Sequence, residues 1–159
     1  MNAHVLEKLG PAGMTLHLVK LCVGVASIEE LDTWQSARLL QLRKASRSAT
    51  LFHTTFQTPK RQDELLDGGS IYWVIKGAIQ VRQRLIGFSE GHRSDGSPGC
   101  RLLLDPALVS VRPVPRRAFQ GWRYLAGEDA PPDIGNAGET GLVNMPEQLR
   151  RELAELCLI

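Results

Sequence analysis

The sequence predicts a single α+β domain, built on a small curved or barrel-like, mostly antiparallel sheet with two to four flanking helices. Three observations predict it. About six short apolar or alternating segments read as strands. The helical patterns are segregated from them, which argues against a parallel βαβ succession. Gly77 and Gly87 stand where short strands would have to bend. A chain of 159 residues has the size of one domain and can bury roughly 68–70% of its unfolded surface without a metal or disulfide staple.

Residues 1–13 read as an N-terminal extension ahead of a domain spanning 14–159, with Met14 placed to serve as an alternative start. The run 16–23 is apolar apart from His17 and Lys20 and predicts a buried strand ending at Gly24. Ser27 and Glu30 have the spacing of a capping box, in which hydroxyl and carboxylate satisfy orphan backbone donors at a helix start. The helix that follows sets Ile28, Leu31, Trp34, Leu39 and Leu42 near one stripe and ends around Ala45. Residues 49–57, rich in Thr and Phe, predict a second strand. Pro59 introduces a short helix over 60–66 that Gly68-Gly69 ends with a left-handed cap.

Residues 70–75 predict an aromatic strand and 79–88 a long alternating one. Alternation places Ile79, Val81 and Leu85 on one face and Gln80, Arg82 and Arg84 on the other. It also separates Tyr72 from Trp73. Residues 91–99 are turn chemistry throughout, leading to a return strand over 101–104 that Asp105-Pro106 breaks. Another strand follows over 108–114, confined to an edge by Pro113 and Pro115. Residues 119–125 predict a turn of helix or a tight loop, and 126–145 irregular chain. Pro146 opens a last amphipathic helix with Leu149, Leu153 and Leu156 on one stripe.

Composition excludes several classes. No apolar run approaches the roughly 18–20 residues that span a bilayer, and the first thirteen residues lack the order of a signal peptide. Cys22, Cys100 and Cys157 are odd in number and far apart, so neither a disulfide framework nor a zinc knuckle is expected. The expectation is a cytoplasmic protein with no membrane association. Templates for nucleophilic serine, phosphate-binding loops and dinucleotide-binding loops are missing. His4, His17, His53 and His92 do not fall at metal-ligand spacing, although His17 and His53 lie on strands and could meet in space. No cofactor, metal or catalytic residue is expected.

Charge is distributed unevenly. The overall balance of +2 conceals a basic middle and an acidic tail. Residues 60–123 carry eleven Lys/Arg against six Asp/Glu, whereas 124–159 carry two against seven. Nine of the eleven central cations are Arg, suited to planar, bidentate recognition of phosphate or carboxylate. Trp73, Lys76, Arg82, Gln83 and Arg84 come from adjacent strands; Arg116, Arg117, Gln120, Trp122, Arg123 and Tyr124 come from the segment after the sheet. Cations hold the phosphate backbone, Gln reads a base edge, and flat rings stack. Trp34 and one of Trp73 and Trp122 are expected in the core. The partner so predicted is nucleic acid, either RNA or a single-stranded or flipped-out base. Two alternatives stay open. One is an enzyme for a small anionic substrate, using Lys76 or His17 as acid/base. The other is a protein-interaction domain whose basic face meets an acidic partner or its own tail in a homodimer.

The segments 18–25 (LVKLCVGV), 59–77 (PKRQDELLDGGSIYWVIKG), 103–106 (LLDP) and 119–125 (FQGWRYL), with Arg82-Gln83, resemble an uncharacterised family of alphaproteobacterial proteins of about this length. Residues 66–90 run helix end, Gly-Gly, aromatic strand, Gly, strand, Ile-Gly-Phe. That order resembles the barrel core of PUA-like domains, including the EVE and ASCH relatives. Gly68-Gly69-Ser70 lacks the acid usual at that turn, and the ASCH Gly-x-Lys-x-x-x-x-Arg pattern is missing. The resemblance implies a pocketed small barrel that binds RNA or a modified base.

Overall fold

Residues 15–136 are described by the computed structural model of the chain. The N-terminal extension, Met14, Cys157 and the helix expected from Pro146 lie outside the described residues. Seven strands and two α-helices follow in order: β1 (Leu16–Leu21), α1 (Ile28–Ala45), β2 (Leu51–Thr55), α2 (Gln62–Leu66), β3 (Ser70–Ile75), β4 (Ala78–His92), β5 (Pro98–Pro115), β6 (Trp122–Ala126) and β7 (Asp133–Asn136).

Local chemistry explains most boundaries. The Ser27 hydroxyl accepts from Glu30 N at 3.1 Å, and the Glu30 carboxylate accepts from Ala26 N at 2.8 Å. Acids in the first turn and Arg43 and Lys44 in the last complement the helix dipole. Lys76 and Gly77 both take positive φ, +50° and +79°, as a two-residue type I′ hairpin requires. Gly68 ends α2 at φ +87°. Gly69 is needed for a different reason: a Cβ there would run into the carbonyl oxygens of Leu65 and Leu16.

The strands form one mixed sheet in the order β2-β5-β4-β3-β1-β6, with β7 also on β5. β1 and β3 run parallel, and the other pairings are antiparallel. The sheet is curved and open. Side chains of β6 tie down the connection that follows β2: Trp122 Nε1 donates to Gln57 O at 2.7 Å, and the Tyr124 hydroxyl accepts from Lys60 N and Arg61 N.

Curvature comes from register shifts in the β4–β5 hairpin at Ile79/Val81, Gln83/Leu85 and Leu85/Gly87. These shifts correct three expectations. The first moves Ile79 to the face opposite Val81, where it packs with Tyr72 and Val111. Gln80 is buried, its amide donating to Ile75 O at 2.8 Å, so no continuous Gln80–Arg82–Arg84 row exists. Asp105-Pro106 is a bulge within the 18-residue β5 rather than its end, because Asp105 accepts from Ala107 N through its side chain and from the Gln83 amide through its carbonyl. Similarly, 119–121 is the expected loop, but Gly121, at φ +69°, turns the chain into β6, so the rest of 119–125 is a strand paired with β1.

The main core lies between the sheet and α1, where Ile28 and Leu31 meet Leu18, Ile71, Trp73 and Leu104. Each such fully buried aliphatic side chain contributes about 1.5–3 kcal/mol. A smaller cluster of Val19, Tyr72, Val74, Ile79, Val111 and Leu125 occupies the other face. No helix among the described residues is long and apolar enough to cross a membrane.

Candidate functional site

Alternation along β1 turns Lys20 toward α1 and leaves Val19 and Leu21 on the opposite face. In the register Lys20 stands beside Trp73 of β3 and Trp122 of β6. The chain then leaves the sheet through the turn at 22–25 and returns as α1, so the first turns of that helix do not close against the end of β1. A cavity of about 920 Å³ remains between them, within the range of small-molecule sites. Its walls are Lys20, Cys22 and the turn on one side, Glu29 to Ala37 of α1 on another, and Leu51–Thr54 of β2 with Trp73.

Aromatic rings dominate this space. Trp73 is 2% exposed, and the His53 ring stands edge-on to it at 5.2 Å. Trp34, expected in the core, is instead 53% exposed at the edge of the cavity. The buried members of α1 are Ile28, Leu31 and, in the place expected of Trp34, Gln35. Gln35 is held by two hydrogen bonds exchanged with Gln83, and Gln83 also accepts from Trp73 Nε1 at 3.1 Å. This polar knot fixes the Trp73 ring.

Electrostatics at the cavity are set by burial. Burial, then Lys20 and Arg38, push the His53 imidazole down to about 4, so it is neutral at physiological pH. Its Nε2 is buried without a hydrogen-bond partner among the described residues. Burial also lowers the Lys20 amine from its ordinary range, against the Cys22 thiol, and lifts that thiol to about 11. The thiol therefore stays protonated and unreactive.

A second depression of about 480 Å³ shares Trp34, Phe52, His53 and Thr54 with the cavity, so the two adjoin. Among the described residues it is lined by Arg38, Arg93 and Arg101 with His92 and Ser94, and by no carboxylate. The Arg38 and Arg101 guanidinium groups lie 4.9 and 4.3 Å from the centre of the Phe52 ring, and Arg93 lies 4.9 Å from that of Phe56. Phe56 is itself 69% exposed. Stacking on rings orients the cations, and among the described residues no carboxylate of the groove takes up their N–H groups.

Of the residues nominated from sequence, only Trp73 lines this site. Gln83 is fully buried, with its amide spent inside the core. Arg82 is on the other face, paired bidentately with Asp133 at 2.7 Å and donating to the Ser70 hydroxyl. Arg84 is exposed two residues along the same face. Arg116 and Arg123 flank the Phe119 ring at 5.3 and 4.6 Å, with Arg117 and Gln120 exposed nearby in sequence. Trp122 and Tyr124 pack against the main core and pin the 57–61 connection. Lys76 sits exposed in the β3–β4 turn.

His17 and His53 do not meet. His17 accepts from Ser70 N and stands against Tyr72, across the sheet from His53 and Trp73. No group of three or more His, Cys, Asp or Glu among the described residues is placed to hold a metal ion. Sequence reasoning missed Lys20, Trp34, Arg38, His53, Arg93 and Arg101 as one site. Lys20 carried the one signal, a cation at an inward position of a strand apolar apart from it and His17.

The model of the family described as "Protein of unknown function (DUF1489)" matches residues 18–159, and the chain belongs to that family. No curated protein and no solved structure matches it.

Proposed function

We propose that this member of the DUF1489 family binds single-stranded or flipped-out nucleic acid, with one base in the aromatic cavity and the flanking phosphates in the arginine groove. One observation carries the reading: an aromatic cavity adjoins a groove to which the described residues bring three arginines and no carboxylate. A base inserted beside Trp34 and Phe52, over the floor that Trp73 forms, gains stacking at about 1–3 kcal/mol per base. Its backbone then crosses Arg38, Arg93 and Arg101, whose forks fit phosphate oxygens. The resemblance of 66–90 to PUA-like cores supports the same role, and we propose that the curved sheet is a PUA-like variant. The test is titration of labelled mixed-sequence single-stranded RNA and DNA. Binding at low salt that falls steeply as salt rises is expected, since each neutralised phosphate releases counterion. Undetectable binding at low salt defeats the proposal.

The alternative, an enzyme for a small anionic substrate, has one observation in its favour. Lys20, its amine pKa lowered, and the neutral His53 line the same cavity. That reading predicts a small anion held with little salt dependence and turnover lost in Lys20→Met.

A further inference from the structure

Resting on the reading of this cavity as a base site, we propose that Lys20 selects the base, favouring those with a keto oxygen on the edge farthest from the sugar, uracil and guanine, over cytosine and adenine. Lys20 stands on the cavity wall beside Trp73, half-buried on a strand rather than on a mobile loop. Its amine takes part in no hydrogen bond or ion pair with the described residues. Of the two acids in the first turn of α1, which also line the cavity, Glu30 has its carboxylate engaged by Ala26 N.

An ammonium carries three donors and no acceptor. Partial burial strips it of water, so a ligand that enters must return an acceptor or leave the charge unsatisfied. A keto oxygen supplies one. An exocyclic amino group at the same position brings N–H toward N–H and supplies none. Uracil and cytosine differ in this way at position 4, and guanine and adenine at position 6. The stacking faces, by contrast, treat all four bases nearly alike. Selection therefore falls to the polar groups in the wall, and Lys20 is the cation among them.

The experiment is anisotropy of labelled oligouridine and oligocytidine of equal length, titrated with the full chain at one low salt concentration and neutral pH. Oligouridine is expected to bind about tenfold more tightly, the scale of one good base-edge contact. Lys20→Met is expected to bring the ratio to about one by weakening oligouridine alone. Should that variant fail to fold, Lys20→Gln serves, since an amide both donates and accepts and is expected to level the two. Wild-type protein should likewise prefer oligoinosine to oligoadenosine. Equal affinities in the wild type, a preference for cytidine, or a ratio that survives in a folded Lys20 variant would each overturn the assignment while leaving the base site standing. No binding to any probe defeats the site and the assignment together.

Discussion

Gln35 of α1 and Gln83 of β4 exchange both of their amide hydrogen bonds, at 3.0 and 2.8 Å, in the buried space behind the cavity. Gln83 also accepts from Trp73 Nε1 and donates to Asp105 O, so each polar atom of its amide is used twice. Replacing it orphans three partners at once. Gln83→Leu is expected to cost about 3 kcal/mol or more, most of it desolvation of the groups left behind, as read by urea denaturation. Loss within about 0.5 kcal/mol, typical of a surface change, would mean that the knot is not formed.

The adjacent glycines Gly68 and Gly69 should respond differently to the same substitution. Gly68→Ala meets open space and incurs only the strain of φ +87°, about 1 kcal/mol. Gly69→Ala drives a methyl into the Leu65 and Leu16 carbonyls, where α2 crosses the start of β1. It should be the far more destabilising of the pair, or fail to fold. Thermal melts of the two variants side by side check the order.

Acid should destabilise the fold earlier than carboxylate protonation alone would. His17 and His53 both have folded pKa values near 4, lowered first by burial, against 6.5 unfolded. The unfolded chain thus takes up protons that the folded chain refuses. The stability due to neutral imidazoles is complete above about pH 6.5 and declines as pH falls from there to about 4. His53→Gln should flatten part of that decline in denaturation curves measured across this range. An unchanged slope would contradict the assignment of His53 to a desolvated wall.

Trp34 offers an exposed ring at the cavity edge, so its removal should affect binding rather than folding. Trp34→Ala is expected to weaken single-stranded RNA binding by about 1–3 kcal/mol with thermal stability nearly unchanged. Equal affinity of wild type and variant would remove Trp34 from the site.

What was legible in the sequence is what local chemistry decides. The Ser27–Glu30 cap, the Ser70–Ile75 strand, the glycine stop after α2 and the separation of Tyr72 from Trp73 all rest on neighbours within a few residues. The bulges of β4 and β5 were not legible, because an extra residue in one strand is visible only against its partner. Trp34 was misplaced because helical periodicity cannot tell an apolar stripe from one in which Gln35 is buried by a distant Gln83. The cavity escaped for the same reason. Lys20, Trp34, His53 and Arg101 share no local spacing; the turn at 22–25 and the β2–β5 pairing bring them together.

The most direct test of the central claim compares two of the groove's three arginines with the pair beside Phe119. Salt titration of single-stranded RNA binding is measured for Arg93→Ala/Arg101→Ala and for Arg116→Ala/Arg123→Ala. The groove variant should bind more weakly, with the slope of log K against log salt reduced by about 1.4, since each phosphate left unneutralised on a single strand removes roughly 0.7. The variant beside Phe119 should leave the slope unchanged. The reverse pattern would place the nucleic acid beside Phe119 and contradict the account.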